Sequence, residues 1–366
     1  MSNVSSSNGL EKYPKLRFKG FSEPWTTVLL RDVAEYRKKR QSVSKYEYIS
    51  TENMLQHYMG ITPYADFSNI EGIEYCVGDT LIGNIRPYLK KVWFATFDGA
   101  CSADVLALKP NYINPEFLYD IIAQDGFIEY VMSGVKGSKM PRGDKSHILD
   151  YETALPSLAE QEKIAYFLRL LSTRIQKLQL LIDSLKKYKR GLLSTIFGKV
   201  TNFVHLKDIC EYASSAKTMS QIDNTPKGVY PVYDAGGIAT FVDFYDMETD
   251  YIAIIKDGSG VGRLQFCQAK STFIGTLGGL IPKNCSTFYL YTALQTIDFK
   301  EYVTGMAIPH IYYRDYKDAM LPYPCEKDRA KIQVIFQNLD CKITNAEMLL
   351  EKFNEMKKSL LQQLFI

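Results

Sequence analysis

Two stretches of the chain carry apolar side chains at the spacing of a single helix face and contain no residue that breaks a helix. Neither Gly nor Pro occurs in residues 157–190 or 325–366. With Ile164 as position a of a seven-residue repeat, the following a positions are Leu171, Leu178, Leu185 and Leu192, and neighbouring d and e positions hold Phe167, Leu168, Ile175, Leu181, Ile182 and Tyr188. The second stretch places Ile332, Leu339, Ala346, Phe353 and Leu360 at a, flanked by Ile335, Phe336, Ile343, Leu349, Leu350, Met356 and Leu364. Both patterns predict long amphipathic helices. Each starts just after a proline, Pro156 or Pro324, where a helix begins but does not continue from behind. At about 1.5 Å per residue each is roughly 55 to 60 Å long.

A helix of that length with one apolar face does not stand alone in water. The economical arrangement is that the two pack on each other, antiparallel, as a coiled-coil-like spacer, because each follows its own globular half. The expected packing residues are Ile164, Leu171, Leu178, Leu185 and Leu192 in one helix and Ile332, Leu339, Phe353 and Leu360 in the other. The competing arrangement is two unrelated core helices, each packed only on its own domain.

The two stretches are copies of one phrase. Aligned without gaps, 156–197 and 324–365 share ten of 42 positions, ending in "KRGLLSTIF" and "KKSLLQQLF". The repeat extends upstream: "LRDVAEY" (Leu30 to Tyr36) echoes "LKDICEY" (Leu206 to Tyr212), and "EYVMSG" (Glu129 to Gly134) echoes "EYVTG" (Glu301 to Gly305). Between these echoes both halves are β-rich, with "DTLIGNIRPYLKKVWFA" in the first and "YIAIIKDGSGVGRLQF" in the second, the latter reading as strand, Gly-rich turn and strand. Each half then predicts a helix, from the Asn114 cap and Pro115 to Gly134, and from about Ser286 to Gly305. The fold class is α+β, with two tandem globules each followed by a long helix. The expected boundaries are a disordered arm at 1–13, a first globule at 14–155, a helix at 156–200, a second globule at 201–323 and a helix at 324–366.

Composition agrees with this division. Chains of 366 residues usually split into domains, and 46% hydrophobic with 13% aromatic residues suffices for two cores. A net charge of +3 is only mildly basic, so a nucleic-acid surface has to come from local clustering. The seven cysteines are scattered, with no C-x-x-C pair, which argues against a disulfide framework or zinc site and for a reducing cytoplasm. No leader-like or membrane-spanning apolar stretch is expected to direct the chain to a membrane.

Catalytic chemistry is sparse. The four histidines, His57, His147, His205 and His310, have no metal-ligand spacing, and no metal site is expected. "DGSGVG" (Asp257 to Gly262) lacks the G-K-[ST] of a phosphate loop and reads as a hairpin turn. "NPEF" (Asn114 to Phe117) resembles the tetrapeptide with which amino-methyltransferases hold a flipped adenine, but Glu116 replaces a proline and helix capping explains it better. Asp257 with Gln268, Ala269 and Lys270 is a poor imitation of a nuclease cluster and has no counterpart in the first half. A duplicated chain without a duplicated catalytic set reads as a recognition or scaffold protein.

Recognition chemistry is plentiful. "YRKKRQSVSKYEY" supplies Arg37, Lys38, Lys39, Arg40, Lys45 and Tyr46; "NIRPYLKK" supplies Asn84, Arg86 and Lys90; "VKGSKMPRGDK" supplies Lys136, Lys139 and Arg142. In the second half Lys256 and Arg263 flank the glycine turn, and "GMAIPHIYYRDYK" offers His310, Tyr312, Tyr313 and Arg314. Basic, aromatic and amide side chains on loops are what phosphate and base-edge contacts need. A solvated basic face is the bland alternative for any one lysine. Recurrence at equivalent places in both halves favours double-stranded DNA.

At this point the chain resembles the specificity (S) subunit of type I restriction-modification systems. The likeness is carried by "LPSLAEQEKIAYFL" (Leu155 to Leu168), the helix ends "GLLSTIF" and "SLLQQLF", the loops "GSKMPRGDKSHILDYETALP" and "GMAIPHIYYRDYKDAMLP", and "YPVYDAGGIATFVDFY" (Tyr230 to Tyr245). It covers essentially residues 14 to 366. The second copy departs from the pattern, with Asp328-Arg329 where Glu160-Gln161 stands in the first. The resemblance implies that each globule is a target-recognition domain reading one part of a bipartite, asymmetric DNA sequence, with the helices as spacer. A separation near one turn of DNA, about 34 Å, suits helices of this length. It further implies two methyltransferase (M) subunits that carry S-adenosylmethionine and flip an adenine in each half-site, and motor-nuclease (R) subunits that use ATP and Mg. This chain itself would hold no cofactor and do no chemistry. The alternatives are a self-contained DNA-modifying enzyme, told apart by cofactor binding to the isolated chain, and a tandem adaptor that does not bind DNA.

Overall fold

The computed structural model describes residues 13–135, 139–305 and 308–366. Lys136 and nearly all of the expected N-terminal arm lie outside the described residues. The chain divides into two units, one comprising residues up to Gln179 together with Leu349–Ile366, the other Leu180–Met348. Each unit therefore takes part of both long helices.

In the first unit β1 (Thr26–Leu29), α1 (Leu30–Val33) and β2 (Ala34–Tyr36) lead to β3 (Arg40–Ser44), β4 (Tyr48–Ile49) and β5 (Asn69–Tyr75). Strands β6 (Thr80–Gly83), β7 (Val92–Phe94), β8 (Gly99–Cys101) and β9 (Val105–Pro110) follow. Helices α2 (Pro115–Ile122), α3 (Asp125–Ser133) and α4 (Lys145–Leu149), then β10 (Glu152–Leu155), precede the long helix α5 (Leu158–Phe197). The strands form two four-stranded sheets, in the orders β2-β9-β6-β7 and β3-β5-β8-β4, and β10 returns to pair antiparallel with β1. Strand β6 and the first four residues of β9 are buried on both faces, which is why neither alternates and Val105–Leu108 reads as an unbroken apolar run. Tyr75, Leu81, Trp93 and Val105 join the two sheets in one core, and a second core collects Leu30, Phe117, Phe127, Ile164, Leu168 and Leu364 from the helices.

The second unit repeats one of the two sheets and the strand pair at the base, and its other sheet has three strands. It contains β11 (Phe203–His205), α6 (Leu206–Ile209), β12 (Cys210–Ser214), α7 (Met219–Asp223), β13 (Lys227–Asp234) and β14 (Gly237–Val242). Strands β15 (Tyr251–Ile255), β16 (Leu264–Cys267), β17 (Thr272–Phe273) and β18 (Leu277–Pro282) follow, then α8 (Thr287–Leu294), α9 (Tyr313–Tyr316), β19 (Met320–Pro322) and α10 (Glu326–Leu364). The sheet order β12-β18-β15-β16 matches β2-β9-β6-β7, and β11 pairs with β19 as β1 pairs with β10. The Gly-rich segment is the turn between the antiparallel strands β15 and β16, as its composition predicts.

The single helix expected from Asn114 to Gly134 is two. Asn114 caps α2 by accepting from the Phe117 amide, but the chain leaves the helix at Ala123, and Gln124, in extended conformation, returns its side-chain amide to the Asp120 carbonyl. The second half breaks likewise: α8, capped by Ser286, ends at Leu294, and Asp298 starts a separate 3-10 turn at Phe299–Tyr302. At both breaks a glutamine returns its side-chain amide to a last-turn carbonyl, Gln124 to Asp120 and Gln295 to Tyr291.

Along the long helices the buried row runs i, i+4, i+7. In the first unit it includes Ile164, Leu168, Leu171 and Leu178; in the second, Ile182 on α5 and Ile332, Phe336, Leu339, Ile343 and Ala346 on α10. Leu185, Leu192, Phe353 and Leu360 are half-buried. The d positions are corrected: Leu181, Ile335, Leu349 and Met356 are exposed, because the chain follows the e side of each a residue. Within the second unit Phe197 stacks with Phe336 (6.5 Å), Lys189 binds Asp340 (2.6 Å) and Lys186 binds Glu347 (2.6 Å), so the α5 and α10 segments there run antiparallel.

The repeated closing phrase seats its phenylalanine on equivalent partners. Phe365 stacks on Phe117 of α2 at 5.1 Å, and Phe197 meets Tyr289, at the same place in α8, edge-on at 6.4 Å. The departure at the helix starts is also accommodated. The Gln161 amide donates to the Pro156 carbonyl at 2.9 Å, and Arg329 donates Nη1 to the Pro324 carbonyl at 2.8 Å, so both side chains close the turn onto the proline. Arg329 further lies over the Tyr323 ring at 4.1 Å. Glu160, 1% exposed, is held by two 2.8 Å hydrogen bonds from Arg17, whereas Asp328 pairs locally with Lys331.

Candidate nucleic-acid interface

In both units the loop joining two sheet strands is stapled to a loop far along the chain. In the first unit the β6–β7 loop (residues 84–91) meets the segment after α3: the Arg86 amide donates to the Pro141 carbonyl (2.8 Å), Gly143 donates to the Asn84 carbonyl (3.4 Å), and Ile85 bridges to Arg142. In the second unit the β15–β16 loop (residues 256–263) meets the segment before α9: Gly258 donates to Pro309 (2.9 Å), Ile311 donates to Lys256 (2.9 Å), and Asp257 bridges to His310. Two of the three basic stretches of the first half, and both of the second, therefore converge within their units.

Most of the first-unit cations are matched by carboxylates. Arg37 is an internal strut, with Nε 2.9 Å from the nearly buried Asp79 and Nη1 3.8 Å from Glu74. Lys39 pairs with Glu74 (3.2 Å), Arg40 with Glu71 (3.1 Å), Lys45 with Asp66 (2.9 Å), Lys90 with Asp125 (2.7 Å) and Arg142 with Asp104 (3.0 Å). The Lys45 amine and neighbouring Ser68 hold the Asp66 carboxyl below its ordinary range. Lys38, Arg86 and Lys139 are exposed and have no acidic partner among the described residues. Asn84 is buried, and its side-chain Oδ1 has no hydrogen-bond partner among the described residues.

In the second unit Tyr312 is exposed, His310 packs edge-on against it (4.9 Å), and the Arg314 guanidinium lies 4.8 Å over its ring. Tyr313 instead turns inward and stacks on Tyr212 at 4.5 Å, beside Cys210, and burial raises its phenol well above the ordinary range. Arg263 donates to the Ala235 carbonyl, and Lys256 is half-buried.

Two exposed aromatics escaped the sequence reading. Phe67 stacks on Tyr46 at 5.5 Å, and Tyr88 stands beside Arg86 at the loop tip. Tyr88 lay inside a basic stretch already singled out; nothing in the sequence joined Phe67 to Tyr46. Among the described residues no three His, Cys, Asp or Glu side chains converge as metal ligands, and no helix is long and apolar enough to cross a membrane.

Comparison with known proteins agrees with this architecture. The family described as type I restriction modification DNA specificity domain matches residues 22–187 and again 199–353. The EcoDI specificity subunit of Escherichia coli is 22% identical over 199 residues, covering 52% of this chain and 43% of that protein. The MjaVIII specificity subunit of Methanocaldococcus jannaschii is 26% identical over 175 residues, covering 44% of this chain and 41% of that protein. The matches thus span less than half the length of either relative. The crystal structure of the type I restriction-modification S subunit from M. genitalium aligns over 96% of this chain and 99% of its own with TM-score 0.72 at 18% identity. A chain from a structural study of type I system assembly and conformational transition aligns over 94% and 98% with TM-score 0.53 at 17% identity. Two tandem sheet-and-helix units, each stapling a basic loop to a distant one, and a family match that occurs once in each half lead to one statement: the chain belongs to the type I restriction-modification DNA specificity domain family and carries that domain twice.

Proposed function

We propose that this chain is the non-catalytic DNA-reading subunit of a type I restriction-modification complex in the cytoplasm. Each unit reads one part of a bipartite, asymmetric double-stranded target, and the long helices shared by the units act as the spacer. The observation that carries the reading is the stapled loop pair present in both units, with Arg86, Lys139 and Arg142 at one and Lys256, His310, Tyr312 and Arg314 at the other. Cations and aromatic rings on loops fixed by backbone hydrogen bonds suit phosphate positioning and base-edge contacts.

Two methyltransferase subunits then supply S-adenosylmethionine and the adenine-modifying chemistry, and motor-nuclease subunits supply ATP- and Mg-dependent cleavage. Exposed apolar side chains on the long helices, Tyr166 and Leu170 in the first unit and Val334, Ile335 and Met348 in the second, provide surface for the methyltransferase partners. Co-expression with a cognate methyltransferase, followed by mapping of modified adenines, tests the reading. A split motif modified on both strands, present only when this chain is present, is the expected result; modification without sequence preference, or none from an assembled complex, would count against it.

A further inference from the structure

The loops at 84–91 and 256–263 have equal length and the same backbone course, which permits a residue-by-residue comparison inside one protein. Arg86 corresponds to Gly258: both amides donate to a proline carbonyl across the staple, and both carbonyls accept from the residue three positions on, Leu89 or Val261. Both residues are left-handed, Arg86 at φ 52° and Gly258 at φ 90°. Lys90 and Gly262 occupy the same loop position and are also left-handed, at φ 55° and 81°, although the Lys90 amide donates to Pro87 and the Gly262 amide to Ile255. The turn thus demands left-handed backbone at two places; the second unit meets the demand with glycine, and the first with arginine and lysine. That conformation is unfavourable for any residue with a Cβ; outside these loops Tyr112 (φ 58°) and Lys270 (φ 53°) bear the same cost, but here the equivalent position of the other unit shows that glycine serves the turn.

For Lys90 that something is internal: its amine lies 2.7 Å from Asp125. At Gly262 a Cβ would come within 2.8 Å of Phe299, so glycine there has its own packing reason. Arg86 has neither explanation. Its side chain is exposed and meets no acid among the described residues, and at the equivalent Gly258 a Cβ would find nothing within 4 Å. An arginine held in a costly conformation, on a tip pinned by backbone bonds and with no acidic partner among the described residues, is placed for an external partner.

Resting on the DNA-recognition reading, we infer that Arg86 is the specificity-determining base contact of the first unit, its guanidinium donating in parallel to the O6 and N7 acceptors of a guanine. Planar, five-donor geometry suits that edge, which the point charge of lysine does not match. Backbone pinning at Pro141 gives the fork a fixed origin.

The test is methylation mapping with the assembled methyltransferase complex carrying the wild-type chain, Arg86→Gly or Arg86→Lys, with thermal unfolding of each. Arg86→Gly installs the second unit's residue and removes the strain, so its melting temperature should equal or exceed that of the wild type. Its motif should lose discrimination at one base pair of one half, by about 10- to 100-fold, while the other half is unchanged. Arg86→Lys should lose the same discrimination despite keeping the charge. A complete motif with Arg86→Gly, or with Arg86→Lys, overturns the base-reading role, the latter outcome marking a phosphate contact. If the wild-type complex itself modifies DNA without a motif, the underlying reading fails instead and this inference falls with it.

Discussion

At the scale of single residues, the internal repeat serves as a set of controls. Gln161 and Arg329 are chemically different, yet each donates to the carbonyl of the proline five residues earlier. Arg329→Gln should therefore keep most of the stability that Arg329→Ala loses, the latter by about 1–2 kcal/mol, because Gln retains the carbonyl contact and Ala leaves it unmade. Urea unfolding of the two variants checks this; equal losses would assign the effect to the ring contact with Tyr323. Asp120 offers a pH-dependent case. It lies buried on α2, and burial pushes its carboxyl from 3.8 up to about 8, with Lys357 opposing the shift and Glu116 adding to it. Between these values the folded chain retains a proton that the unfolded chain releases. Stability from this group is thus present at low pH and lost as pH rises through about 8, at up to about 1.4 kcal/mol per pH unit. Asp120→Asn should flatten that slope, making the variant more stable than the wild type at pH 8 but not at pH 4; parallel pH profiles would rule the group out.

At the scale of elements, the long helices were the most legible part of the chain. A stripe sustained over about ten turns, free of Gly and Pro and opened by a proline, has few alternatives to an amphipathic helix. Its exact face was less so: Leu181, Ile335, Leu349 and Met356 are apolar yet exposed, because periodicity alone does not say which flank of the a row meets a neighbour. Leu171 and Leu178, at 7% and 8% exposure, belong to the buried row. Replacing both by Glu should cost on the order of 3–5 kcal/mol, through lost burial and unpaired charge, and abolish co-purification with the methyltransferase. Unchanged unfolding and unchanged assembly would refute the packing role of this row. The shorter helices show the opposite lesson, since at the breaks after Ile122 and Leu294 Gln124 and Gln295 each return a side-chain amide to a last-turn carbonyl, Asp120 or Tyr291, which composition does not advertise.

At the scale of the whole molecule, duplication implies modular reading. Replacing residues 203–322 by the corresponding segment of another family member should change one half of the recognised motif and leave the other intact, as read by methylation mapping. A change in both halves would contradict independent units. The sequence by itself determined the duplication, the α+β class, the two long helices and the stretches that supply basic and aromatic side chains, because these are local or periodic properties of the chain. It did not determine which cations are free. Asp79, Asp104 and Asp125 neutralise Arg37, Arg142 and Lys90 from 42, 38 and 35 residues away, and no local pattern encodes such encounters. Only the tertiary structure decided that the loops at 84–91 and 256–263 occupy equivalent places in the two units, and that of the two left-handed cations in the first loop Lys90 has an acidic partner while Arg86 has none among the described residues. The physical reason is that backbone dihedrals and long-range ion pairs are set by the closure of the sheets, which brings distant segments together.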